Sequence, residues 1–318
     1  MTIKQQQGSI MPFMKSKRGF ALSIVLWIVA ALLLGIAFIL NLSKDSLTLT
    51  KGVQEKLIAR LQAQDYLEVI KYYVMTADFN NYKLINNHSI ATYKLPKEII
   101  LDGRDYNISK NVTLSMRDAS SIVNLFYPNQ RIIAALASQG DDALNYTIKD
   151  SIKDWIDADS KVSLNGAESS YYNKEQNVFY KPRNYPALQS SDELRLIRGI
   201  NTLNKKDFDR LSSYIYVSQQ GAIVNLALVS PEYLSILLHI DKEIAEQLIN
   251  YKYKNFTKFV NTIRKNHYYN DSMGFGLSFD ILIKLKIKVG ASRVILETFI
   301  DFRKNQFRDT TINMYKIY

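Results

Sequence analysis

Apolar residues dominate from Phe20 to Leu40, broken only by Ser23 and Gly35, and beyond that point they become periodic. The 21 residues of the run carry no charge; as a helix rising about 1.5 Å per residue they would span a hydrocarbon core roughly 30 Å thick. Further on, Ala59, Ala63, Leu67, Ile70 and Val74 recur at helical spacing, with Lys56, Arg60, Gln64 and Glu68 on the other faces. This pattern predicts one helix over 20–75: a transmembrane segment at 20–40, then a half whose apolar stripe packs on a sheet. Gly52 is its weak point, costing about 1 kcal/mol relative to alanine. Alternation with period two then predicts strands at Glu98–Leu101, Arg104–Ile108 and Val112–Met116, the first two joined by a type I′ turn at Asp102-Gly103. It returns at the C-terminus over Gly276–Val289 and, after a Gly290 turn, Ser292–Phe302. Between the strand sets the signals are helical. Ser230-Pro231 reads as an N-cap with proline at the first helical position, followed by Tyr233, Leu234, Leu237 and Leu238, and Asp241 caps a second short helix.

The elements give an α+β chain: a long N-terminal helix on an antiparallel sheet, the sheet interrupted by a large helical insertion. The expected boundaries are 1–19 for a basic leader, 20–75 for the stem, 76–123 with 270–318 for the head, and 124–269 for the insertion. The two short helices from Ser230 resemble a helix-hairpin-helix or SAM-like unit. A phosphate grip would need a glycine-rich hairpin, and Leu238-His239-Ile240-Asp241-Lys242 has no glycine, so no nucleic acid is expected as a partner.

Charge orients the chain. Lys15, Lys17 and Arg18 abut the apolar run, so the positive-inside bias keeps that end cytoplasmic and sends the bulk of the chain across. The net charge of +11 comes from scattered lysines, a solvated basic surface rather than a dense patch. Cysteine is absent, which excludes disulfides, thiol nucleophiles and thiolate metal sites.

Candidate chemistry falls in the loop region 154–195. Asp154-Trp155-Ile156-Asp157-Ala158-Asp159 ends a helix and Gly166-Ala167-Glu168 follows. Asp157, Asp159 and Glu168 offer hard oxygen donors of the kind that suits calcium, without EF-hand spacing. Acids on a solvated loop around a core tryptophan are the alternative on composition alone. No nucleophile or acid pair forms a recognisable catalytic motif, so the chain is not expected to be an enzyme.

The junction Arg18-Gly19-Phe20 resembles the prepilin-peptidase site of type IV pilins and type II secretion pseudopilins, which implies removal of 1–19 and a mature N-terminus at Phe20. Pilin-like subunits commonly carry glutamate at the fifth mature position to neutralise a neighbour's amine. Ile24 stands there, which suits a subunit with nothing stacked above it, at a filament tip. The ordered set D-W-I-D-A-D, G-A-E, Tyr171-Tyr172, Tyr180-Lys181-Pro182-Arg183-Asn184 and E-L-R-L-I-R-G at Glu193–Gly199 is similar to the K-type minor pseudopilins of type II secretion systems, GspK. Asp118 with Asn124-Leu125, and Val224-Asn225, extend the resemblance over nearly the whole chain.

The resemblance implies a pilin-like head with a helical insertion, calcium at Asp157, Asp159 and Glu168 with Asp192 or Glu193 contributing, and a place at the tip of the periplasmic pseudopilus. It further implies I-type and J-type minor pseudopilins, the major pseudopilin, prepilin peptidase and the inner-membrane secretion platform as partners. The location implied is a single-pass inner-membrane protein, mostly periplasmic, working in assembly for protein export. Two departures, Phe126 and Ala227 where the family commonly has asparagine, put side-chain to backbone bonding at those turns in question. A minor pilin of a type IV pilus or a competence apparatus is the nearest alternative.

Overall fold

The computed structural model describes residues 18–87, 93–175, 182–217, 223–278, 280–301 and 315–317. The residues ahead of Arg18 and the Tyr180-Lys181 stretch of the signature lie outside these. Helix α1 covers Arg18–Thr76, so the expected stem is one continuous helix through Gly52. Strands β1 (Asp78–Asn80), β2 (Lys83–Ile85), β3 (Glu98–Ile100), β4 (Asp102–Ser109) and β5 (Val112–Asp118) follow. Next come β6 (Val123–Asn124), α2 (Gln130–Ser138), α3 (Asp142–Ile156), α4 (Lys205–Ser212) and β7 (Ile215–Tyr216). Then β8 (Val224–Asn225), α5 (Pro231–Leu238), α6 (Lys242–Lys252), α7 (Phe256–Arg264) and β9 (Met273–Gly274) lead to β10 (Asp280–Val289), β11 (Ser292–Asp301) and β12 (Tyr315–Ile317).

The chain divides into two compact units, residues 1–58 and 59–318. In the first, the apolar side chains from Leu22 to Leu40 face outward all round the helix, the distribution expected where lipid is the solvent. Among the described residues it is the one helix long and apolar enough to cross a membrane.

The second unit holds the head and the insertion. The head sheet has the order β12-β11-β10-β5-β4, antiparallel throughout. The predicted stripe is what covers it: Ala59, Ala63, Ile70 and Val74 are completely buried and Leu67 nearly so. They share one core with Leu114 and Met116 of β5 and with Ile281, Ile283, Leu285 and Ile287 of β10. Lys284, Lys286 and Lys288 alternate with these on the solvent face; Lys284 pairs with Glu297 and Lys286 with Asp105 at 2.7 Å. Small alanines at the first two stripe positions let helix and sheet approach closely. Asn86 finishes the helix by donating from Nδ2 to the Tyr73 carbonyl at 2.8 Å.

The expected hairpin at Asp102-Gly103 is not formed. Strand β3 pairs with β2 in a separate three-stranded sheet, while β4 pairs with β5. Gly103 has φ +86°, as the dipeptide signal required, but it serves a register shift between Asp102 and Asp105. A bulge consumes the same conformational freedom as a turn. A Cβ there would lie 2.2 Å from Arg117 Nε. The strand expected from Gly276 begins at Asp280; its turn at Gly290 is a true two-residue hairpin with Val289 opposite Ser292.

The insertion leaves after β5 and returns before β10, strands that are neighbours in the sheet. It contains two copies of one unit. Val123-Asn124-Leu125 and Val224-Asn225-Leu226 each form a short parallel pairing, β6 with β7 and β8 with β9. In each copy the asparagine Oδ1 accepts the backbone N–H two residues on, Phe126 at 3.0 Å and Ala227 at 3.1 Å. The turns therefore form without the asparagines that the family commonly has at 126 and 227. Five residues after each asparagine stands an N-cap, Asn129 or Ser230, whose side chain accepts from Ile132 or Tyr233. Each first helix stops at a left-handed residue, Gln139 or His239, and a second begins just beyond. Asp241 holds the N-cap backbone position but makes no side-chain cap bond. The two units share a core that includes Leu125, Ile133, Trp155, Phe208, Leu226, Leu234 and Phe259.

Candidate functional site

Helix α3 positions the acidic loop. Its N-cap Asp141 accepts from the Leu144 N–H at 3.0 Å, its inner face carries Ile148, Ile152 and Trp155, and it ends at Ile156. The Trp155 carbonyl, left over at the helix C-terminus, accepts from the N–H groups of Arg183 and Asn184 at 3.0 and 3.1 Å, the satisfaction that a buried helix end needs.

The motifs scattered along the sequence converge on this tryptophan. Its Nε1 donates to Glu193 Oε1 at 2.9 Å, and Tyr172 stands edge-on at 5.3 Å. Arg183 pairs with the same Glu193 at 3.3 Å. Arg198 donates to the Gly166 carbonyl at 2.9 Å and lies over Tyr171. Gly199 adopts φ +87° with Ile148 only 2.7 Å from where a Cβ would be. Glu193 is thus held by the tryptophan and the arginine.

Asp157, Asp159 and Glu168 come together, each offering one carboxylate oxygen within 4.8 Å of the other two. The group does not include Asp192, which opens a short 3-10 helix over Asp192–Leu196. Asp159 is exposed, Asp157 half-buried and Glu168 buried. Beneath them Asp154, fully buried, accepts the Ser163 N–H at 3.0 Å, and Gly166 is required because a Cβ would fall 2.0 Å from Asp154 Oδ2.

Two buried carboxylate oxygens, Asp157 Oδ1 and Glu168 Oε1, have no hydrogen-bond partner. Buried polar groups are ordinarily satisfied, so such a pair marks missing positive charge. Burial pushes the Glu168 carboxyl above its ordinary value, reinforced by the charge of Asp154. Asp157 is raised by burial and then by Asp159 and Asp154. Two orphaned oxygens among three clustered, mutually repelling carboxylates fit a hard divalent cation such as calcium.

Of the other residues singled out, Gly19 and Phe20 lie in the first turn of α1, and Ile24 is on the same helix, 44% exposed. Sequence reasoning took Asp118 only as a component of a resemblance. The structure gives it a role, since its buried carboxylate accepts four hydrogen bonds: Ser120 N and Oγ at 2.8 and 2.6 Å, and Ser278 N and Oγ at 2.9 and 2.7 Å. It clasps the two ends of the insertion. The signal that could have exposed the insertion's architecture is the repeated Val-Asn-Leu, each copy five residues ahead of a cap.

A long N-terminal helix packed on an antiparallel sheet, with helical units inserted between neighbouring strands, gives an α+β, pilin-like fold. Residues 126–220 match the family model described as Type II secretion system (T2SS), protein K. The match agrees, over residues 126–220, with the K-type minor pseudopilin resemblance read in the sequence, that of a structural component rather than an enzyme. A search of solved structures finds the crystal structure of the GspK-GspI-GspJ complex from the enterotoxigenic Escherichia coli Type 2 Secretion System. The similarity is at 16% identity and a TM-score of 0.49, over 68% of this chain and 83% of that one. No curated protein matches the sequence significantly.

Proposed function

We propose that this chain is the minor pseudopilin that caps the periplasmic pseudopilus of a type II secretion system and helps initiate its assembly, anchored in the inner membrane until it is incorporated. The observation that carries this reading is the protein K match, which falls on the helical insertion, the region by which this chain exceeds a plain pilin. Two features support the tip position. Ile24 replaces the acid that would neutralise a neighbour's amine, and the insertion adds bulk at one end of the head sheet, where β5 and β10 meet it.

Processing follows from the same reading. Cleavage by prepilin peptidase after Gly19 removes the charged leader, and methylation of Phe20 finishes the N-terminus. The I-type and J-type minor pseudopilins and the major pseudopilin are the partners in the fibre, and the secretion platform drives its growth.

Asp157, Asp159 and Glu168 would hold calcium, with Asp192 as a ligand only if its loop shifts. The ion would supply charge neutralisation for the orphaned oxygens and pin the loop between α3 and Tyr171.

Mass spectrometry of the protein recovered from membranes tests the class, and an N-terminus at methylated Phe20 is expected. A functional form beginning at Met1 would overturn it. Copurification with other minor pseudopilins separates secretion from a pilus; enrichment of pilins instead would place the chain in a type IV system.

A further inference from the structure

The loop between Asp159 and Gly166 is built to hold two apolar side chains in solvent. Its backbone is pinned at every second residue: Lys161 N donates to Asp159 Oδ1 at 2.7 Å, Ser163 N to the buried Asp154 and Asn165 N to Asp150 Oδ2 at 3.2 Å. Gly166 N closes the turn onto the Ser163 carbonyl. The residues in between, Val162 and Leu164, point away; they are 56% and 96% exposed. A mobile loop would fold such side chains back, but here three carboxylates, of which Asp154 is buried, hold the backbone against it.

Lysines and an aromatic ring flank this tip on one side, with the carboxylates of the loop at its root and Lys149 paired with Asp150 at 3.6 Å. Lys153 lies beside it, Nζ at 3.5 Å from Ser163 Oγ, and Lys161 is exposed on the loop itself. Tyr146, Lys149 and Lys153 share one face of α3, with Lys149 over the half-exposed Tyr146 ring at 5.2 Å. Apolar residues at the apex with lysine and tyrosine behind them are the composition of a bilayer-interface contact. A two-residue apex is too small to seal a protein interface of the usual size, whereas shallow insertion beside anionic headgroups needs no more.

We propose that this tip, Val162 and Leu164 backed by Lys149, Lys153 and Lys161, docks onto the surface of an anionic phospholipid bilayer. Asp157 and Asp159 at its root carry the opposite sign, so calcium is expected to strengthen docking; that increment alone rests on the metal reading given above.

The absence of cysteine from the chain allows a clean probe. The full chain, held in phosphatidylcholine nanodiscs and carrying an environment-sensitive fluorophore at Leu164→Cys, is mixed with vesicles containing phosphatidylglycerol, with calcium or with chelator. The expected result is a blue shift quenched by spin-labelled lipid, together with cosedimentation of the unlabelled chain that falls about tenfold in Val162→Asp and Leu164→Asp. Docking with chelator but no gain from calcium would refute the metal increment and leave the tip assignment standing. Three results would overturn the proposal: no shift in either condition, cosedimentation unaffected by both aspartates, or a shift that needs other pseudopilins and ignores vesicles.

Discussion

Asp118 shows how one side chain can hold a topology together. Its four accepted bonds join residues 120 and 278, and removing the carboxylate leaves four donors to be resolvated in a buried place. Asp118→Ala should lower stability by roughly 3 kcal/mol, and Asp118→Asn by less because one oxygen survives; denaturant unfolding of the two variants checks the order. Lys252 is the opposite case. Nearly all of it is buried, with Nζ donating to the Ala227 carbonyl and lying near the Tyr82 and Tyr253 rings. Burial lowers its pKa from 10.5 to about 8. The folded state therefore binds fewer protons than the unfolded chain across that window, so its contribution to stability rises as pH climbs from 8 to 10.5. Melting curves should show wild type gaining on Lys252→Met over this interval. Neither role was legible in the sequence: Asp118 and Ser278 are far apart along the chain, and a lysine on a short helix ordinarily reads as solvent-facing.

At the scale of elements, what could be read was periodicity. The α1 stripe was legible because helical spacing survives any tertiary context, and all five of its residues are buried. Ala63→Leu should cost about 1–3 kcal/mol, since the added carbons have nowhere to go between α1 and the sheet; thermal unfolding of the variant measures it. The pairing of β4 was misread because Asp-Gly reports a backbone conformation and not the strand it joins. The acidic loop was half legible. The three acids were adjacent enough to group, but the buried bed made by Asp154, Gly166 and Arg198 comes from three separate segments. Gly166→Ala tests that bed, since the new methyl meets Asp154 and should shift Ser163 and the whole tip.

For the whole molecule, the loop's charge links stability to pH and to metal. Glu168 and Asp157 are raised in the folded state, so without metal their contribution is fully present at low pH and is lost as pH rises through the raised values. A chelated sample should therefore gain stability on acidification toward the ordinary glutamate value of about 4.3, and Glu168→Gln should flatten that gain. Calcium should act in the reverse sense, its stabilisation growing as the carboxylates deprotonate. Equal melting temperatures with calcium and with chelator at neutral pH would sink the metal assignment.

The placement of the insertion has a mechanical side. Strands β5 and β10 run antiparallel, and both hand over to the insertion at the same end of the pair, where Asp118 faces Ile281. A tug on the inserted units would load this pair as a zipper, whose rungs open in succession at small force. The Asp118–Ser278 clasp sits at the zipper's mouth. The bond order along this pair therefore sets where the head yields under load, and single-molecule pulling across residues 119 and 278 should find the first rupture at the clasp.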